Sequence, residues 1–235
     1  NIVLMSELQI VFQDEWYVAI HKPPGLLVHR TRIADGDRFA MQMLRDQIGQ
    51  WVYPVHRLDR PTSGVLVFAL GPESARALVR LFENRQVEKR YLAVVRGYAE
   101  TQGHIDYPLL EEDASERQQA VTDYRRLATV ELPIAVGRYR TSRYSLLEVS
   151  PVTGRMRQIR KHMKHIFHPI VGDTSHGDGK HNQMFRERFN CHRLLLQAAE
   201  LSFVHPYTDK RVVIGAGDDP EMERIFSVLG WENYL

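Results

Sequence analysis

An α+β fold is what the sequence predicts: an extended, mixed and mainly antiparallel β-sheet with helices interspersed and flanking it. Two observations carry this expectation. Short runs rich in branched and aromatic residues, several joined by tight polar turns, dominate the chain, and only a few stretches place apolar residues at helical spacing. No repeat, low-complexity tract or convincing linker breaks the 235 residues, which points to one domain over 1–235.

Taken in order, Leu8 to Phe12 and Trp16 to Ile20 read as the strands of a hairpin around Gln13-Asp14-Glu15. From His21 to His29, consecutive prolines and Gly25 exclude a helix and impose a bend. Lys22 and His29 on this bend could contact phosphate, although a solvated side chain is the commoner fate of a lysine. Asp37 to Ile48 predicts a helix with Phe39, Met43, Leu44 and Ile48 on one side and Gly49 as its stop. Trp51 to Val55 and Val65 to Leu70 predict strands that flank the loop His56 to Gly64. Pro72 to Gln86 predicts a second helix, started by proline, with Ala75, Leu78, Leu81 and Phe82 in a stripe and Arg76, Arg80 and Arg85 on a solvated face.

Lys89 to Gly97 reads as a strand, Glu111 to Gln119 as a charged surface loop, and Ala120 to Val130 and Arg143 to Val149 as further strands. In the stretch from Thr153 to Ile166, Met156, Ile159, Met163 and Ile166 fall at helical spacing and would bury one side. Arg160 lies about 40° round from Met156, at the rim of that stripe, where a guanidinium needs a partner such as an ionised aspartate. Gly177 to Asn182 reads as a polar loop, Leu194 to Pro206 as one or two core strands, Arg211 to Ile214 as a strand after a turn, and Pro220 to Leu229 as a closing helix.

Composition bounds the function classes. Hydrophobic content of 43% and charged content of 26% are those of an ordinary globular protein. A net charge of +2 does not by itself identify a nucleic-acid partner, yet the pI of 8.7 and eleven histidines leave room for a locally basic surface. The single cysteine, Cys191, excludes an internal disulfide and a cysteine-built zinc site and suits a reducing compartment. No apolar run approaches membrane-spanning length and residues 1–9 lack the pattern of a signal peptide, so a cytoplasmic location is the expectation. His162, His165 and His168 lie without a nearby carboxylate or cysteine, and the first two stand among cations, so no metal site is expected.

The densest chemistry lies in His56-Arg57-Leu58-Asp59-Arg60-Pro61-Thr62-Ser63-Gly64. Pro61 and Gly64 shape the loop, and in an extended segment Arg57 and Asp59 share a face, where a guanidinium can hold the carboxylate ionised and aimed. Such an aspartate can act as nucleophile or base, or can simply brace a turn. This nonapeptide resembles the His-Arg-Leu-Asp-x-x-Thr-Ser-Gly signature of the RluA-type pseudouridine synthases, matching every fixed position. Lys22-Pro23-Pro24-Gly25 is similar to the family's Lys-Pro-x-Gly turn, and Thr153 to His162 to its Thr-Gly-Arg-x-His-Gln-Leu-Arg-x-His motif, with Arg157 in place of the histidine and Ile159 in place of the leucine.

The resemblance implies a pseudouridine synthase fold with a central catalytic cleft and no separate N-terminal RNA-binding domain. It makes Asp59 the catalytic carboxylate, Arg57 and Arg160 its positioning partners, and Tyr91 the residue against the target base. The wording of 89–112 and 120–144 is most like members that isomerise a uridine in the T-stem of tRNA. RNA, and tRNA in particular, is then the partner, with no cofactor, no membrane and a monomeric enzyme expected. Candidate RNA contacts are Lys22, His29, His56 and Arg60 near the loop. Arg138, Arg140 and Arg143, interleaved with tyrosines, form a second group, and Arg155, Arg157, Lys161 and Lys164 a third. A synthase acting on ribosomal RNA would share every site residue. A non-catalytic RNA-binding module is a different class, and a glycosidase is disfavoured because no second acidic residue pairs with Asp59.

Overall fold

A computed structural model describes residues 7–29, 38–111 and 114–234. The hairpin strands β1 (Gln9–Gln13) and β2 (Tyr17–Lys22) are followed by α1 (Ala40–Ile48), β3 (Tyr53–Pro54), β4 (Ser63–Ala69) and α2 (Pro72–Glu83). Next come β5 (Glu88–Arg96), β6 (Gln102–Asp106), β7 (Val121–Leu132) and β8 (Ser142–Pro151). The chain ends with α3 (Gln158–His165), α4 (Gly179–Phe189), β9 (Leu196–Val204), β10 (Arg211–Gly215) and α5 (Pro220–Val228). Two compact units result, one from Asn1–Lys89 with Ala198–Asp218, the other from Arg90–Gln197 with Asp219–Leu235. The chain passes from one unit to the other inside strands β5 and β9 and again at Asp218–Asp219, just before α5. Among the described residues no helix is long and apolar enough to cross a membrane.

In the first unit the strand order is β1-β2-β4-β9, with β10 on β9 and β3 on β4. The pairings β1 with β2, β2 with β4, β3 with β4 and β10 with β9 are antiparallel, as expected. The turn between β1 and β2 is set by Asp14, whose Oδ1 accepts from the amides of Trp16 (2.8 Å) and Tyr17 (2.7 Å). Every residue of β2 and β4 is buried, so the two strands are covered on both faces. Tyr17, Ala19, Val65, Val67 and Phe203 form the core together with Leu78 of α2. That helix has the proline start and the exposed Arg76 and Arg80 that its sequence predicts. The strand expected over 51–55 shrinks to Tyr53–Pro54, because Pro54 lacks a ladder donor, and Trp51 stands 65% exposed. The first residue predicted for α1, Asp37, lies outside the described residues, and the helix begins at Ala40.

The second unit has the order β5-β8-β7-β6, antiparallel in β5 with β8, β7 with β8 and β6 with β7. Ile159 and Met163 of α3 pack on Ala93, Val95, Leu147 and Val149 of the sheet, while Met156 lies before the helix and outside its stripe. Two elements escaped the sequence pattern. β6 is a five-residue edge strand with one buried residue, Ile105. α4 starts within the segment taken as a loop, where Asp178 caps it by accepting from the amides of Lys180 (3.0 Å) and His181 (3.4 Å). Its glycines suggested a turn, but the N-cap and the burial of Met184 and Phe185 prevail.

Candidate active site

The loop between β3 and β4 is shaped by its backbone. Leu58 is buried and anchors it, the amide of Thr62 donates to the Asp59 carbonyl (3.1 Å) to close a turn over Arg60-Pro61, and Asp59 itself is half-buried. Arg57 and Arg60 are exposed, and Arg60 Nε donates to the Gly25 carbonyl (2.9 Å). The Arg60 carbonyl in turn accepts from the Gly25 amide (2.8 Å). At the loop's end Gly64 has φ +108°, and a Cβ there would run into the Ala198 carbonyl. Only glycine allows both the conformation and the close approach.

Lys22 corrects its sequence-based assignment. Its side chain is fully buried, and Nζ donates to the carbonyls of Pro23 (2.9 Å), Leu26 (2.9 Å) and Arg60 (3.1 Å). An ammonium so enclosed ties the proline bend to the loop 56–64 and is not presented to a phosphate. His56 likewise braces. Its Nε2 accepts from the Val67 amide (2.9 Å) and its ring stacks on Phe82 at 4.9 Å. Burial first, and the Lys89 charge second, push its pKa down to about 3, so it brings no positive charge to an RNA surface at neutral pH. His29 is exposed.

In the second unit the segment around α3 is shaped by side chains. Thr153 Oγ1 accepts from the Val121 amide (2.9 Å) and donates to Gln158 Oε1 (2.7 Å), which also accepts from the Arg155 amide (3.0 Å). Gln158 Nε2 donates to the Val121 carbonyl (2.8 Å) and Thr122 Oγ1 (2.9 Å). His162 lies between Thr122 Oγ1 (2.9 Å) and the Tyr107 carbonyl (3.0 Å). These bonds fix the start of α3, where Arg157 takes a left-handed conformation (φ +57°) and remains half-exposed.

Arg160 lies inside the core, 4% exposed, not at its rim. Its Nε and Nη2 grip Asp173 Oδ2 (2.7 Å) and Oδ1 (2.8 Å) in a bidentate pair. Asp173 Oδ1 also accepts from the amides of Ser175 and His176, both at 2.9 Å. Burial alone would raise the Asp173 pKa, but the Arg160 bond and the two amides outweigh it and hold the carboxyl below the usual range. Tyr91 is half-buried on β5, opposite Val149 of β8, and packs against the core beneath α3.

The remaining basic candidates divide by what holds them. Arg155 Nε donates to the Gln119 carbonyl (3.1 Å) and Lys161 Nζ to the Leu110 carbonyl (3.1 Å), while Lys164 is exposed. Arg138 lies over the ring of exposed Tyr139 at 5.1 Å, and Arg140 is exposed. Arg143 is paired with Glu131 (3.3 Å) and stacks over Tyr98 at 5.2 Å. Tyr144, read with this group as a stacking surface, is buried, with its hydroxyl 2.7 Å from His181 Nδ1. That the aspartate paired with Arg160 is Asp173, thirteen residues on, and that Gln158 is the hub of the α3 start, are recognisable only through buried geometry.

Comparison with known proteins bears on the family and the fold. A family model described as RNA pseudouridylate synthase matches residues 16–165. The tRNA pseudouridine synthase C of Vibrio cholerae serotype O1 is 53% identical over 239 residues, covering 97% of this chain and 98% of that protein. The tRNA pseudouridine synthase C of Haemophilus influenzae is 48% identical, covering 96% and 99%. Among solved structures, Human RNA Pseudouridylate Synthase Domain Containing 1 superposes with a TM-score of 0.74 at 24% identity, covering 94% of this chain and 89% of that one. The corresponding human domain 4 protein gives 0.71 at 24% identity, covering 94% and 93%, and the two establish the likeness of fold.

Proposed function

This chain belongs to the RNA pseudouridylate synthase family, and from that premise we propose that it isomerises a uridine in the T-stem of tRNA to pseudouridine, with Asp59 as the catalytic carboxylate. The observation that carries the tRNA assignment is the 53% identity, along nearly the full length of both chains, to a protein named tRNA pseudouridine synthase C. The reaction breaks the bond from uracil N1 to ribose C1′, turns the base within the site, and joins C1′ to C5. The proton leaving C5 balances the one gained at N1. Neither a redox partner nor a metal enters that balance.

In this proposal Asp59 starts the cleavage at the ribose, with Arg57 and Arg160 holding it ionised and aimed and Tyr91 packing on the base. The half-buried position of Asp59 on a shaped loop supports the role, because a carboxylate there is accessible yet held by its backbone. A stem uridine is stacked and paired, so it must be flipped out at a cost of a few kcal/mol. Contacts of exposed basic residues such as Arg60, Arg140 and Lys164 with phosphates offset that cost and make binding salt-sensitive. The enzyme is a monomer in the cytoplasm on this reading.

The test is to incubate the purified protein with unmodified tRNA and ribosomal RNA transcripts and map pseudouridine by position. Product in the T-stem of tRNA is the expected result, and product confined to ribosomal RNA would replace tRNA as substrate. Release of free uracil would instead make the protein a hydrolase.

A further inference from the structure

We propose that His176 contacts the substrate, its Nε2 donating a hydrogen bond to a phosphate oxygen of the nucleotide being isomerised. This rests on the pseudouridine synthase reading above and adds to it a residue that none of the motifs contains. Among the described residues, His176 Nε2 is one of two buried side-chain nitrogen or oxygen atoms with no hydrogen-bond partner. A native fold seldom leaves such an atom unanswered, and an unanswered one beside functional side chains marks where a ligand atom completes the set.

The position of His176 is built. Its amide donates to Asp173 Oδ1 (2.9 Å), the same oxygen that Arg160 Nη2 holds at 2.8 Å. The next residue, Gly177, comes so close to the Asp173 carbonyl that a Cβ there would collide with it. The turn from 173 to 176 is thus locked onto the guanidinium of Arg160, which fixes where the His176 side chain leaves the backbone.

The charges facing the ring decide the class of ligand. Arg157, Arg160 and Lys164, three and seven residues apart along one side of the α3 segment, act on it together with Asp173. Asp173 is the strongest of these charges and both its oxygens are held by Arg160, so of the four charged groups around the ring three are cations and the one anion is already engaged. A neutral uracil edge would satisfy Nε2 alone, whereas a phosphodiester oxygen both accepts from Nε2 and suits surroundings in which cations outnumber anions. Without ligand the imidazole is kept neutral, by burial above all, with the three cations adding to it and Asp173 opposing. An arriving phosphate reverses that balance, so binding should take up a proton.

The test uses the full chain with an unmodified tRNA transcript whose target uridine has been mapped. His176→Phe should weaken tRNA binding by about tenfold, the loss of one hydrogen bond to a charged group, and change the single-turnover rate at saturating tRNA far less. His176→Gln, whose amide can donate without titrating, should recover most of the affinity. Wild-type affinity should fall between pH 5.5 and 8 more steeply than that of His176→Gln. Methylphosphonate linkages flanking the target uridine should weaken wild-type binding and cost His176→Phe nothing further. Equal affinities of wild type and His176→Phe, or methylphosphonate losses that simply add to the loss from the variant, overturn the proposal. If His176→Phe does not fold, the pH slopes of wild type and His176→Gln decide. A wild-type protein that makes no pseudouridine on any RNA defeats the parent reading instead, and is told apart by that assay alone.

Discussion

The loop 56–64 and the segment 153–165 carry the two longest motifs of the chain, and they are held in place by opposite means. The loop is held from outside through its backbone, by the buried ammonium of Lys22, by Gly64 under a neighbouring strand and by a neutral His56 that takes the Val67 amide. Of the side chains at its motif positions, Arg57 is exposed and Asp59 half-buried, against the nearly complete burial of Arg160 and Asp173 in the other segment. The α3 segment is held from within by its own side chains, through the Thr153, Gln158 and His162 network and the buried pair of Arg160 with Asp173. The lesson is that function and stability should separate in the loop and coincide in the α3 segment.

The largest effect that could break this contrast is at Asp59. Asp59→Ala should lower the single-turnover rate by about 10⁴-fold or more, as removal of a nucleophile or base does. Because Asp59 is half-buried where Asp173 is enclosed, its loss should cost less stability by urea denaturation than the loss of Asp173. Asp173→Ala is the counterpart. Stripping a buried guanidinium of its bidentate partner should cost about 3–5 kcal/mol, with the activity loss following from unfolding or from a displaced Arg160. A melting-temperature drop in Asp59→Ala as large as that in Asp173→Ala would erase the distinction between the two regions.

That contrast also explains what was legible in the sequence. The hairpin strands, the proline-started α2 and the position of the loop between β3 and β4 were readable because turn chemistry and periodicity are local, as with Asp14 at the β1 turn and Pro72 at the helix start. The motif's aspartate and arginines were readable by resemblance to a known signature. What stayed hidden was decided by burial. Lys22 looks like a phosphate ligand until three carbonyls enclose it, and Arg160 looks like a rim residue until α3 begins at Gln158 and turns it inward to Asp173. α4 was missed because Gly177 and Gly179 read as a turn, while the cap formed by Asp178 is visible only with the helix in place.

Lys22→Met sharpens the comparison at intermediate size. It keeps the length of the side chain but removes the donor from three carbonyls, and should cost about 2–3 kcal/mol, the penalty of stranding buried acceptors. Because one of those carbonyls belongs to Arg60, next to Asp59, the single-turnover rate on tRNA should also fall. A variant that loses stability and keeps full activity would show that the proline bend does not shape the loop.

Acid titration separates the two regions by the pH at which each begins to fail. Above about pH 6.5 His56 is neutral in both the folded and the unfolded chain and contributes no pH dependence. Below it the unfolded chain binds a proton that the folded ring refuses until about pH 3, so stability falls as pH drops through that window. Solvent access to a half-buried ring trims the effect, and about 1–2 kcal/mol should be lost between pH 6.5 and 5. Asp173 acts in a lower window, because its folded pKa lies below that of an unfolded aspartate. Its contribution is complete above about pH 4 and disappears only as the pH falls through the depressed folded value. His56→Gln, whose amide oxygen can still accept from the Val67 amide, should therefore flatten the stability curve between pH 6.5 and 5 and leave the steeper acid limb in place. Urea denaturation across that range checks it, and a slope unchanged by the substitution would mean that the loop's brace is not the proton-sensitive element.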